Sequence, residues 1–153
     1  MSFAAARQAL RDHLDAGWVT ASRTEPIKHE NTRFDEPSGV VWVEFGVFEL
    51  DSASQVTVGI NNALHRHVGR AVASVFQPIE WDASNSDGGT TDAEAVADVV
   101  RLIFLGANQE SLVITVAANH NIYCRPPAID TVGRVGAWYQ HNVVVLYHRD
   151  AIG

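Results

Sequence analysis

Residues 66–106 read RHVGRAVASVFQPIEWDASNSDGGTTDAEAVADVVRLIFLG, and the order of textures within them sets the fold. Arg66 to Gln77 is an extended, apolar-rich run closed by Pro78, a residue that cannot donate to a sheet ladder. That pattern predicts a strand. From Asp82 to Thr90 the side chains are small and polar, with Gly88 and Gly89 at the centre, which predicts a solvated loop. Thr91 followed three residues later by Glu94 has the form of a capping box, in which each side chain satisfies a backbone N–H of the first helical turn. Val96, Val99, Val100, Ile103 and Phe104 then recur at helical spacing, and Gly106 stands where a left-handed C-cap is expected. A strand, a polar connection and an amphipathic helix packed back on the sheet are therefore the central unit.

Away from that unit, Phe3, Ala6, Leu10 and Leu14 mark a first helix, capped near Ser2 and expected to stop before Gly17. Residues 18–39 carry Pro26, Pro37 and Gly39 and little periodicity, so a long irregular segment is expected there, of the kind that serves a partner. Between Val40 and Leu50 the residues Val41, Val43, Phe45 and Val47 alternate with Trp42, Glu44, Gly46 and Phe48, which predicts a strand. Gln55 to Ile60 is expected to pair back on it as a short hairpin arm. Ser111 to Ala118 alternates again, and Asn119 to Arg125 continues or re-enters the sheet before Pro126 and Pro127. Val132 to Gly136 is expected to be a flexible approach to the last strand. In that strand, Trp138 to Arg149, Tyr139, His141, Val143, Val145 and Tyr147 share one face, and its valine run suits a strand better than a helix. The order is helix, three strands, helix, two strands. This is an α+β domain with a mixed or antiparallel sheet and two helices packed on one face, the other face carrying Trp, His and small polar residues.

The bulk properties fit one folded domain. A chain of 153 residues with 46% hydrophobic and 19% charged content suffices to bury ~68% of its unfolded surface. Its net charge of -7 and lack of a Lys/Arg cluster argue against gripping phosphate backbones. The single cysteine, Cys124, excludes an intramolecular disulfide and a cysteine-rich metal site. No signal segment and no run of eighteen apolar residues occurs, so a reducing, aqueous setting is expected.

Tests for chemistry give little. Counted from Ala83, a calcium loop would place Asn85, Asp87, Gly88 and Glu94 at matching offsets, but its first position then lacks the carboxylate that such loops need. A phosphate cradle at Gly88 and Gly89 lacks a following lysine, and Asp87 and Asp92 repel an anion. His65 and His67 can face one way and His120, His141 and His148 lie on or near other strands, yet zinc needs at least a third ligand brought close. Cys124 lies between Tyr123 and Arg125, which can lower a thiol pKa, but no exposed turn presents it. The carboxylate pairs Asp35 with Glu36, and Asp92 with Glu94, fall in loops or caps. The expectation is a protein that is not an enzyme and holds no cofactor or metal. A divalent-metal-binding module or metal-dependent enzyme using Asp87, Glu94 and the histidines is the alternative of another class.

The short amino-terminal helix, the Trp42 to Phe48 strand and the strand with Arg66, Gly69, Val72, Val75, Phe76 and Pro78 together carry a resemblance. So do the loop with Gly88 and Gly89, the helix Ala95 to Phe104 and the closing strand with Gly136, Trp138 and Tyr139. Taken in this order they resemble the tail terminator proteins of long-tailed bacteriophages, the minor tail protein U type, and related prophage and gene transfer agent proteins. The resemblance covers the chain from about Val40 onward; residues 20–38 depart from it. It implies a structural virion protein that forms a six-fold ring, caps the tail tube and joins it to the head-tail connector or stopper protein, with DNA passing through the lumen without specific binding. Its place would be the head-proximal end of the tail, after assembly in the bacterial cytoplasm. A head-completion or connector adaptor is the alternative within the same setting. Candidate interface residues are Arg66 and Arg70, expected to meet acids of a neighbouring subunit, Asp82 and Asp87 in the glycine-containing loop, and Asp35 and Glu36 in the irregular segment.

Overall fold

The computed structural model describes residues 1–37, 39–50, 54–58, 63–79 and 90–152, with backbone alone at 54–58, 63, 90–91 and 152. Two long antiparallel strands form its middle. β4 (Ala63–Pro78) and β8 (Trp138–Ile152) pair from Leu64 with Ile152 to Pro78 with Trp138. On the free side of β4, β2 (Trp42–Glu49) covers residues 69–76 and β3 (Ser54–Val58) covers residues 63–66, so the two lie end to end. On the free side of β8, β7 (Ala128–Val135) covers one half and β6 (His120–Cys124) the other, with β5 (Leu112–Ala117) beyond β6. A short β1 (Ile27–His29) adds in parallel to β2. Among the described residues the result is an eight-stranded mixed sheet.

Both helices, α1 (Phe3–Thr20) and α2 (Thr90–Ile103), lie on one face, because strand residues alternate and in β2, β4 and β8 the odd-numbered set carries most of the buried apolar side chains. Val43, Phe45 and Val47 of β2, Ala71, Ala73 and Val75 of β4, and Val143, Val145 and Tyr147 of β8 meet Ala6, Leu10, Leu14 and Trp18 of α1 and Ala93, Val96, Ala97 and Val100 of α2 in one core. The small side chains Ala71 and Ala73 sit in the central strand, which lets the helices come close over bulkier neighbours. The α+β architecture, with both helices on one side of the sheet, is therefore as the residue pattern indicates.

Several local expectations are corrected. Helix α1 runs on to Thr20, and Gly17 is inside it: a Cβ there would stand 2.6 Å from Ile103 Cγ2, so glycine permits close contact with the end of α2. The turn falls instead at Ser22, with φ 56°, where the Arg23 N–H donates to the Trp18 carbonyl. Gly106 is not a left-handed cap, since its φ is -73°; an added Cβ would stand 2.4 Å from the Ser111 carbonyl oxygen. Asn108 and Gln109 are the left-handed residues. Helix α2 begins at Thr90, which puts Thr91 within it, and the orphan N–H of Ala93 donates to Gln77 Oε1 at 2.8 Å. One first-turn N–H is thus satisfied from the adjoining strand, while Glu94 is exposed.

β3 pairs with β4 rather than with β2, because β4 extends far enough past β2 to offer a free edge. The segment expected to be irregular from residue 18 to 39 contains the end of α1 and all of β1. Glu30 fixes it in place by accepting from the Val47 N–H at 3.0 Å, and the Arg11 side chain donates to the Glu30 carbonyl at 2.7 Å. Residues 128–135, expected in part to be a flexible approach, form β7. A register shift between Thr131 and Gly133 breaks its alternation, and most of its side chains are exposed, so no single-face pattern was available to read.

Candidate functional site

The sheet face away from the helices is built from the even-numbered residues of β2, β4 and β8. Cross-strand register aligns Phe48 with Arg70 and Arg70 with Leu146. The next row aligns Val68, His148, Tyr123 and Val113 across four strands. Phe48 is 49% exposed, Leu146 46% and Val68 42%. Large apolar residues clustered at that exposure form a patch of the kind that marks contact surfaces. The Arg70 guanidinium lies 5.6 Å from the Phe48 ring centroid, so a positive charge stands within the patch.

One end of this face is closed by aromatic packing. Trp42 stacks on Phe76 at 4.5 Å and meets Trp138 edge-on at 5.9 Å, and Phe34 lies 5.3 Å from Trp42. Asp35 and Glu36 follow Phe34 and are exposed. Arg70 pairs with Phe48, six residues along β2 from Trp42, which is roughly 20 Å at strand rise. The structure therefore brings Arg66 and Arg70 together on one face and sets Asp35 and Glu36 at its far end. Asp82 and Asp87, with the whole expected calcium loop apart from the helix start, lie outside the described residues.

Arg66 is committed within the chain. Its Nε and Nη2 donate to Asp150 Oδ1 and Oδ2 at 2.9 and 3.0 Å, a two-pronged contact that holds the Asp150 carboxyl below the usual carboxylate range. His148 stacks on Tyr123 at 4.9 Å. Burial first, then the charges of Arg66 and Arg125, push its pKa down, so this imidazole favours the neutral form. A polar cleft of about 530 Å³ opens beside them, between Leu64, Asn119, His120, Tyr123 and Asp150.

The histidines are spread through the molecule. His65 and His67 do share a face of β4, but His148 projects from the other face of the sheet, and His141 is buried against Thr131, whose Oγ1 lies 3.2 Å from its Nδ1. Among the described residues, no group of three or more His, Cys, Asp or Glu side chains is placed to hold a metal ion. Cys124 is buried, and burial pushes its thiol up to about 12; Arg125 does not lower it. Folded protein at pH 8 should therefore react with a thiol reagent at least ~100-fold more slowly than the urea-unfolded chain. A fast folded-state reaction measured by absorbance would show the thiol to be accessible.

A buried ionic network under the helices has no counterpart in the sequence expectations. Glu49 Oε1 accepts from Arg149 Nε at 2.6 Å and Oε2 from Nη2 at 2.8 Å, the Tyr147 hydroxyl donates to Oε1 at 3.3 Å, and Arg149 Nη1 donates to the Met1 carbonyl. Burial, followed by the Glu49 carboxylate, raises the Tyr147 pKa. The partners come from β2, β8 and Met1, just ahead of α1, so the network joins three parts of the chain. Its one sequence signal was an acid and a base each ending an otherwise apolar strand face.

No helix among the described residues is long and apolar enough to cross a membrane. No protein-family model matches the chain. No curated protein matches it either. Solved structures do match: one has a TM-score of 0.63 over 97% of this chain and 96% of that chain, at 22% identity. Its name states no activity, and likeness at that identity shows the fold alone.

Proposed function

We propose that this protein is a structural component of a phage or phage-like particle, forming a ring that ends the tail tube and meets the head-side connector. The observation that carries the reading is the broad sheet face that carries no helix among the described residues, where Phe48, Val68 and Leu146 are half exposed around Arg70. Surfaces of this kind suit association of like subunits better than capture of a small molecule. A net charge of -7 also suits a bore that must let DNA pass without holding it. The order of elements, which resembles tail terminators, is the second support.

Electron microscopy of the purified protein, alone and mixed with tail tubes, tests it. Rings of six copies, free or seated on tube ends, are expected. A protein that stays monomeric and leaves tube ends bare would overturn the reading, and position at the portal in place of the tube would favour the connector adaptor.

A further inference from the structure

The sheet face that carries no helix among the described residues, the bare face, has a counterpart on the opposite side of the same molecule. Along the outer surface of α2 run Ala95, Asp98, Val99 and Leu102, spaced to form one stripe, with Leu102 54% exposed. Beside the stripe, Val99, Leu102 and Ile103 face Ala16, Gly17 and Thr20 across an apolar groove between the helices of about 490 Å³. The charge along α2 is acidic: Asp92, Glu94 and Asp98 are all exposed. Arg101 is the one base in its last turn and leans on Asp98 at 2.9 Å.

Around Arg70 on the sheet face opposite the helices the charge is reversed, although Glu44, Asp130 and Asp150 lie elsewhere on that face. Arg70 stands among Phe48, Val68 and Leu146, and the exposed Arg125, whose N–H donates to the Leu146 carbonyl, borders the same patch. We infer that the bare sheet face of one copy docks on the outer face of α2 and its groove in the next copy, with Arg70 directed at Asp98 and Glu94. This inference rests on the ring reading for its partner, a second copy of the chain.

Charge selects this pairing over its rivals. Two sheet faces meeting patch on patch would centre the contact on two Arg70 side chains, and two α2 faces would bring Asp92, Glu94 and Asp98 of both copies together with only Arg101 to offset them. Sheet face to helix face joins opposite charges and half-exposed apolar surface at once. Because the two patches lie on opposite sides of one subunit, the contact is head-to-tail and leaves a free patch at each end of any pair. Such contacts close into a ring when the rotation allows it, and otherwise run on as a filament.

Cross-linking tests the pairing, and the burial of Cys124 leaves an introduced cysteine as the reactive one. Val68→Cys and Leu102→Cys proteins, mixed in equal amounts with a short bis-maleimide, should give a cross-linked pair at least about tenfold above either variant alone. Arg70→Glu in the first protein should cut the yield about tenfold, and Asp98→Arg in the second should restore it, because the new charges again attract. Monomer throughout, with no cross-link above that of the single variants, overturns the pairing. Rings seen by microscopy without this cross-link also overturn it while leaving the ring reading intact. Open filaments that carry the cross-link support the pairing and count against the ring.

Discussion

Glu49→Ala is expected to destabilise the protein by about 3–5 kcal/mol, because it leaves the Arg149 guanidinium buried without its anion. Arg149 is 4% exposed and meets both carboxylate oxygens of Glu49. Water cannot reach the vacated site easily, so the charge is not resolvated. The same loss frees the Tyr147 hydroxyl and removes the group that orients Arg149 toward the Met1 carbonyl, which loosens the start of α1. Against a typical domain stability of ~5–15 kcal/mol, that is a large share. Urea unfolding followed by circular dichroism measures it, and the corresponding fall in midpoint temperature is roughly 6–20 °C for a chain of this size. Replacing both partners, as in Glu49→Leu with Arg149→Met, should recover most of the loss, since an apolar pair leaves no stranded charge. A Glu49→Ala protein within about 1 kcal/mol of the parent would show that the pair is not closed to solvent.

Phe104→Ala is expected to cost about 3–5 kcal/mol, for a different reason: it opens a cavity where three elements meet. Phe104 follows the end of α2 and is fully buried. Its ring stacks with Phe45 of β2 at 5.9 Å and lies 5.4 Å from the His13 ring of α1. Nearby, His13 Nε2 is 2.8 Å from the Ile103 carbonyl, so the last turn of α2 is bound both by packing and by a polar contact. Phe104→Leu keeps most of the volume and should cost less than half as much. Guanidinium titration of both variants checks the ranking, and equal losses would mean that the helix end relaxes around whatever is left. Under the head-to-tail pairing, Phe104→Ala also weakens association, because it unfastens the helix that carries Asp98 and Leu102.

Residues that answer to a local rule were readable in advance. The alternation of Val43, Phe45 and Val47, the odd-numbered set of β8 and the helical stripe of α2 each follow from one face being buried. So the helices and the longest strands, and hence the α+β class, could be inferred. What escaped depends on contacts remote in the chain. Glu49 and Arg149 are 100 residues apart, and no periodicity marks them as partners. Gly17 and Gly106 carry the same letter as a helix stop, but what they meet is Ile103 and Ser111. A first-turn N–H of α2 finds its acceptor in Gln77 on another element, which a capping rule confined to adjacent residues does not consider. β7 was obscured by a bulge and by exposure on both sides.

The candidate surface was visible only in part. Arg66 and Arg70 were singled out, and the alternation of β4 does put them on one face. The apolar residues around Arg70 belong to three strands, so the patch exists only after the sheet is assembled. Asp92 and Glu94 were legible only as carboxylates of a loop or helix cap, because nothing local shows that α2 lies on the side of the sheet opposite Arg70.

The end-to-end placement of β2 and β3 along β4, and of β7 and β6 along β8, makes every flanking strand depend on the β4–β8 pair. During synthesis β4 must wait while α2, β5, β6 and β7 emerge before its longest partner exists. Folding is therefore governed by closure of a distant loop and should be slow for a domain of this length. In that interval the edge of β4 is open to other nascent chains, which makes aggregation on overexpression the characteristic hazard of this topology.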